Sequence, residues 1–223
     1  MPALRFTAAC LLAPVLLLCP ACARSPEQPG YAVSAGPVLR AAYATDSGMH
    51  GLWSRTAYAG IGAGDTGSWA EHFIDVANRD AHIAKGDFVP IYVHSDGAPV
   101  IELRSGRAGA PATLSGEERG RVAARSAPYL FVSDGVVNVS GIEYVSGDPE
   151  PHVGAMRLPR GRWTAAVYLL EWPESRLDGA QSHPPDFVVT LNPESGSPSY
   201  RRSVETFGRE AGGGIPSGSG AAK

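Results

Sequence analysis

From residue 128 onward the chain alternates short apolar stretches with turn residues, and the spacing is that of strands. Residues 129–133, 136–145, 156–158, 162–172 and 187–191 are each bounded by Asp-Gly, Pro or Gly and read as strands. The stretch 162–172 is apolar on both faces. Trp163, Ala165, Val167 and Leu169 alternate with Ala166, Tyr168 and Leu170, which predicts a central strand. Upstream, 31–43 holds two candidate strands, and 87–94 places Val89, Ile91 and Val93 on one face. Pro90 cannot donate to a ladder, so that strand belongs at an edge or a bend. Asp134-Gly135 and Ser95-Asp96-Gly97 have hairpin chemistry, turning 129–133 into 136–145 and 87–94 into 100–104. Residues 45–67 are glycine-rich, have no clear period and read as a long loop with one helical turn.

A helical period is clearest over 68–85. Ser68 and Glu71 have the spacing of a capping box, in which each side chain satisfies an exposed amide at the helix start. Trp69, Phe73, Val76, Ala77, Ile83 and Ala84 approximate one apolar stripe, and Gly86 stands where a left-handed C′ residue is expected. Ser115 and Glu118 repeat the box and open a short helix to about Ala124, weakened by Gly120.

Composition agrees with this pattern. The chain has 27 glycines, 19 prolines and 43% hydrophobic residues, which suits many short strands joined by turns. The expected fold is mainly β (α+β), a sandwich-like arrangement of antiparallel sheets with one amphipathic helix packed against them. It runs over 31–193. The shared Ser-Asp-Gly turns leave open a division into two lobes, 31–105 and 125–193. Residues 194–223, rich in Gly, Ser and Pro, are expected to be disordered.

The first 23 residues change the picture of where this body works. A charged start, an apolar run over 6–18 and Ala21-Cys22-Ala23 make a secretory signal peptide. Cleavage after Ala23 would release a soluble protein. Alternatively, Leu18-Cys19-Pro20-Ala21-Cys22 resembles a bacterial lipobox, with Leu18 four rather than three residues before the cysteine. In that case Cys22 carries the lipid, and 24–30 is a polar linker. The expected location is the periplasm or the outer membrane through a lipid anchor at Cys22, with secretion also open. All three cysteines lie at or before residue 22, so the body has no disulfide, thiolate nucleophile or cysteine-bound zinc. Removing residues 1–23 takes away Arg5 and leaves 18 basic against 22 acidic residues. A net charge of −4 argues against nonspecific nucleic-acid binding.

Candidate chemistry is sparse. The six histidines include no H-E-x-x-H pair, and G-x-S-x-G is absent. Gly62, Gly64 and Gly67 match G-x-G-x-x-G, but no strand precedes them, so they read as a flexible loop before a helix. His72 and Asp75 lie three apart on the expected helix. With His94 they form the one set from which a hydrolase could be assembled. Loop 171–186 is long for a strand connection. Its Trp172, Glu174, Arg176 and His183 are the candidate partner-binding residues, Trp172 having the alternative of folding inward as a cap. No cofactor or metal is expected.

Residues 128–192 also have a recognisable order: Pro128-Tyr129-Leu130-Phe131-Val132, Asp134-Gly135-Val136, Gly141-Ile142-Glu143, Leu158-Pro159-Arg160-Gly161-Arg162-Trp163 before the long apolar strand, and Asp186-Phe187-Val188-Val189. This order resembles the competence-J family of nuclease inhibitors and related immunity-type domains of bacteria. The resemblance implies a β-sandwich and a protein partner. The charge departs from it, because −4 offers little for mimicry of nucleic acid. Three functions follow as expectations: an exported, noncatalytic protein-binding domain, such as an immunity-type inhibitor of a toxin or nuclease; an envelope lipoprotein acting as a structural or ligand-binding module; and, third, a hydrolase.

Overall fold

The computed structural model describes residues 36–65, 67–93, 95–174 and 183–207. Within them, ten strands form two sheets. The larger sheet runs β1 (Val38–Ala42), β4 (Val100–Ser105), β10 (Phe187–Pro193) and β9 (Gly161–Leu170). Along the far edge of β9, β5 (Val122–Arg125) and β6 (Tyr129–Ser133) follow one another. The smaller sheet runs β3 (Phe88–Tyr92), β2 (Met49–Trp53), β7 (Val136–Gly141) and β8 (Gly154–Arg157). Every pairing is antiparallel except β4 with β10, which makes the larger sheet mixed.

Strand alternation puts Ile101, Leu103, Phe131, Val167 and Val189 on one face of the larger sheet. It puts Leu52, Val89, Ile91, Val137 and Val139 on one face of the smaller sheet, and all ten belong to a single buried cluster. The two sheets therefore form a sandwich around one core. Each sheet takes strands from both halves of the chain. The central position of β9 is as expected, with partners on both sides. Pro90 also falls as expected, in β3 at the edge of its sheet.

The outer face of the smaller sheet is covered by a 3-10 turn at Arg55–Tyr58, a π-helical turn at Ala70–Ile74, and α1 (Val76–Lys85). Tyr58 meets Trp53 edge-on at 6.1 Å between ring centres, and Phe73 meets Phe88 at 4.7 Å. The outer face of the larger sheet is covered by the segment containing α2 (Gly116–Arg119), with Leu114 buried against Leu170 and Val188.

Several expectations need correction. The expected loop 45–67 contains β2, in which all five residues are buried. Its sequence, Met49-His50-Gly51-Leu52-Trp53, lacks alternation because both of its faces are covered. Gly51 is required there, since a β-carbon would lie 2.0 Å from the Phe88 ring. The expected helix 68–85 is broken at Asp75, whose backbone is extended (ψ 117°) and whose carboxylate accepts from the Asn78 amide at 2.8 Å. Asp75, not Ser68, is thus the N-cap of α1, while the Ser68 hydroxyl donates to Asp65 at 2.8 Å. The break leaves Ile74 and Val76 about 60% exposed, Val76 being one of the stripe residues. At Ser115 the capping box is present in both directions, but the helix stops at Arg119 and the chain enters β5. Neither expected hairpin forms. β3 and β4 lie in different sheets, as do β6 and β7, so both Ser-Asp-Gly turns carry the chain across the sandwich. Finally, the described part of the expected disordered tail, residues 194–207, is tied to the body at several points and buries Phe207. Tyr129 donates to the Ser203 carbonyl at 3.1 Å, and Phe207 is 2% exposed.

Gly86 ends α1 as expected, with φ 83° and its amide donating to the His82 and Ile83 carbonyls. A β-carbon there would approach Leu130 to 2.8 Å and Val132 to 2.9 Å. Gly86→Ala adds left-handed strain of about 1–2 kcal/mol to overpacking of about 1–3 kcal/mol. A loss of ~2–5 kcal/mol in urea unfolding is expected.

Candidate functional site

At one end of the sandwich three connections meet: the β1–β2 loop, the glycine-rich segment before the π-helical turn, and the turn Ile142–Tyr144 that leaves β7. They enclose a groove made of two adjoining cavities of about 400 Å³ and 330 Å³, which meet at Tyr144. A recess of about 10 Å³, too small for more than a water molecule, is lined by Asp65, Glu143, Ser146 and Glu150 among others.

Glu143 organises this groove. One carboxylate oxygen accepts from the Asp46 amide at 2.8 Å, and the other accepts from the hydroxyls of Thr45 at 3.0 Å and Ser47 at 2.9 Å. Its charge is therefore built into the loop rather than left free to swing. Asp65 is held in a similar way. The Ser68 hydroxyl, with the Ser68 and Gly67 amides, keeps its carboxyl below the usual range. Glu150 lies 3.4 Å from His152, whose ring stands edge-on to Tyr144 at 4.4 Å. Burial pushes the Tyr144 phenol up, and the carboxylates of Glu143, Asp46 and Glu150 push it further. Trp69 supplies a second aromatic wall. Four lining residues are carboxylates (Asp46, Asp65, Glu143 and Glu150), and none is lysine or arginine.

Two buried hydroxyls beside these cavities, Tyr43 at 5% exposure and Ser146 at 4%, have no hydrogen-bond partner among the described residues. Burial raises the pKa of the Tyr43 phenol. Beneath them His50 is fully buried. Its Nε2–H donates to the Tyr43 carbonyl at 2.7 Å, which leaves Nδ1 as an acceptor without a partner among the described residues.

A second cluster of ionisable groups lies under the π-helical turn. Asp87 stands 3.4 Å from His82 Nδ1, and His82 Nε2 contacts His72 Nδ1 at 3.0 Å. The buried Tyr58 ring packs 5.0 Å from His82. Burial, then His82, lowers the His72 pKa, with Glu71 opposing. No group of three or more metal-ligating side chains gathers among the described residues.

The residues singled out from sequence are scattered. Trp172 is half-buried against Leu114, Leu170 and Val188, and its indole donates to the Pro185 carbonyl at 2.9 Å, so it caps an apolar cluster. Glu174 is exposed. His183 is exposed, its Nδ1 donating to the Pro184 carbonyl at 2.7 Å, and its own carbonyl accepts from Arg40. Arg176, Cys22 and His94 lie outside the described residues. Of the hydrolase set, His72 pairs with His82 while Asp75 caps α1. The groove residues escaped the sequence reading because they stand far apart in the chain and match no motif. The available signal was a set of acidic residues falling in glycine-rich connections.

The architecture is that of a mainly β, two-sheet sandwich with a helix on one face. Among solved structures, the chain is similar to one described as crocagin biosynthetic gene J, at 12% identity over 71% of this chain and 98% of that one, with a TM-score of 0.47. It is also similar to ComJ of Bacillus subtilis, described as the inhibitor of the DNA-degrading activity of NucA, at 8% identity over 70% and 96%, with a TM-score of 0.42. No family model and no curated protein sequence matches the chain.

Proposed function

We propose that this chain is an exported, noncatalytic binding domain that engages a protein partner at the Glu143–Tyr144 groove, in the manner of an immunity-type inhibitor. The observation that carries the reading is the groove itself: four carboxylates without a lysine or arginine, two aromatic walls, and a central carboxylate fixed by three donors. Such a surface favours encounter with a basic patch and disfavours nucleic acid. The Ser68 hydroxyl donates to Asp65 and the Ser133 hydroxyl to the Leu158 carbonyl, both at 2.8 Å, so neither is paired with a histidine as a nucleophile would be, which supports binding over catalysis. Export rests on the pattern of residues 1–23, and a lipid on Cys22 would hold the groove near a membrane.

The test is affinity capture of the full chain from its native envelope, followed by mass spectrometry of the captured proteins and of the processed N-terminus. One protein is expected in near-stoichiometric yield. The double substitution Asp46→Asn with Glu150→Gln should reduce that yield at least about fivefold, the scale of one or two exposed ion pairs. Capture unchanged by the double substitution but abolished by Trp172→Ala would move the binding surface to loop 171–186.

A further inference from the structure

We propose that the His72–His82 pair is a proton-operated latch: it ties the π-helical turn to α1, and uptake of a second proton by the pair breaks it and loosens the Trp69 wall of the groove. The inference names a regulation of that groove, and its bearing on a partner rests on the protein-binding reading.

Side chains of α1 hold the turn. His82 Nε2 meets His72 Nδ1 at 3.0 Å, Asn78 donates to the Glu71 carbonyl at 3.1 Å, and Arg79 donates to the Phe73 carbonyl at 3.3 Å. The turn's own closing bond, from the Asp75 amide to the Ala70 carbonyl, is long at 3.4 Å. The histidine contact is therefore the shortest of these ties. Trp69 is the N-cap of the same turn, three residues before His72, and it lines the larger cavity of the groove.

Proton arithmetic makes the contact a switch. Asp87, 3.4 Å from His82 Nδ1, sets that nitrogen as a donor and leaves Nε2 to accept from His72 Nδ1–H. A first added proton keeps the bond, because one hydrogen still lies between the rings. A second puts a hydrogen on each facing nitrogen and a positive charge on each ring, so the rings must part. Burial, then the charge of His82, hold the His72 value below the ordinary 6.5, against Glu71. The latch is thus closed at neutral pH and opens as pH falls below 6.5.

The surroundings do not cancel this repulsion. Tyr58 faces both rings from the 3-10 turn, at 6.0 and 5.0 Å between centres, and burial and Asp87 keep its phenol neutral. Glu71 stands beside His72 on its own turn, and Asp87 faces only His82. From α1, Arg79 adds a cation, 4.0 Å from Asp80. β3 and β6 bring Phe88, Leu130 and Val132 against this corner, all uncharged.

The test is an NMR titration of the full chain from pH 8 to 5, following the ring nitrogens of His72 and His82, the Asp75 amide and the Trp69 indole. The pair should take up its protons in two separate steps, with Asp75 and Trp69 moving at the second. Exchange of the Asp75 amide, corrected for its intrinsic rate, should quicken by up to about tenfold per pH unit, the slope of one linked proton. In His72→Gln, whose amide cannot charge and can pair with either form of His82, the Asp75 and Trp69 responses should vanish. His50 and His152 are present in both proteins, and unmoved β9 amides show that the fold is retained. Independent single-step titration of the two rings, or a Trp69 response that persists in His72→Gln, would overturn the latch. A captured partner should bind about fivefold or more weakly at pH 5.5 than at 7.5, as the closed fraction falls, and this difference should shrink in His72→Gln. An affinity whose pH dependence ignores that substitution would refute the regulation. The titration needs no partner, so it decides the latch even if none is captured and the protein-binding reading fails.

Discussion

Arg104→Ala should destabilise the protein by about 3–5 kcal/mol, the cost of stranding buried charge, a large share of an ordinary stability of about 5–15 kcal/mol. Arg104 is 2% exposed on the outer face of the larger sheet. Its Nε donates to Glu102 at 2.6 Å, and its two terminal nitrogens grip Glu118 at 2.8 and 2.6 Å. Burial works against the charges, yet the pairing wins. Glu118 stays below its ordinary pKa through the Arg104 fork and the Ser115 amide, and Arg104 stays above its own through Glu118 and Glu102. Removing the guanidinium leaves two carboxylates at 5% and 4% exposure, compensated in part by Arg40, 3.6 Å from Glu102, and by the Ser115 amide, which donates to Glu118 at 2.7 Å. Glu118 is also the far half of the Ser115 capping box, so α2 should fray with it. Urea unfolding monitored by tryptophan fluorescence measures the loss. Arg104→Lys keeps the charge without the fork and should fall between wild type and alanine. A loss below about 1 kcal/mol for Arg104→Ala, the range of a surface pair, would refute the argument.

The second large effect is loss of stability on mild acidification. His50 is fully buried, and burial holds its pKa below 6.5 despite the Tyr43 carbonyl and the facing Glu143. His72 is lowered by burial and by His82. A histidine with a depressed folded pKa binds its proton more readily once unfolded. Its contribution is therefore complete above the unfolded value of 6.5 and lost as pH falls below it. Each histidine can cost at most about 1.4 kcal/mol per pH unit within its window. Glu118, also lowered, adds a further loss below the ordinary carboxylate value of 4.5. Urea midpoints at pH 7.5, 6.5 and 5.5 should fall progressively. In His50→Gln, which cannot charge, the fall between 6.5 and 5.5 should be shallower. At the other extreme, burial raises Tyr129 to about 12, so stability should also decline above pH 10 as the unfolded phenol ionises first.

What could be read from sequence was local. The strand 162–172, the C′ glycine at 86 and the Ser115–Glu118 box each depend on residues within a few positions of one another, and each is present. Pairing is not local. Ser-Asp-Gly after an apolar strand has the same chemistry whether the next strand lies beside it or across the core, so both crossovers looked like hairpins. β2 was hidden by its own burial, since a strand covered on both faces and interrupted by Gly51 shows no period. The break at Asp75 was hidden by the capping box at Ser68, because that pattern does not reveal that Asp65 will take the serine hydroxyl first. The groove was the least legible part. Asp46, Asp65, Glu143 and Glu150 become neighbours only after three connections converge.

The chain between 194 and 207 has a consequence for solubility. β3 is paired with β2 along one side only, and its other side would present open amides and carbonyls to solvent, the usual invitation to fibrous self-association. Thr206 bridges to Tyr92 there, and the Phe207 amide donates to the Tyr92 carbonyl at 2.7 Å while its ring rests on Phe187. The closing segment of the described chain thus acts as a guard rail. It keeps a border of the smaller sheet from adding strands borrowed from a second copy.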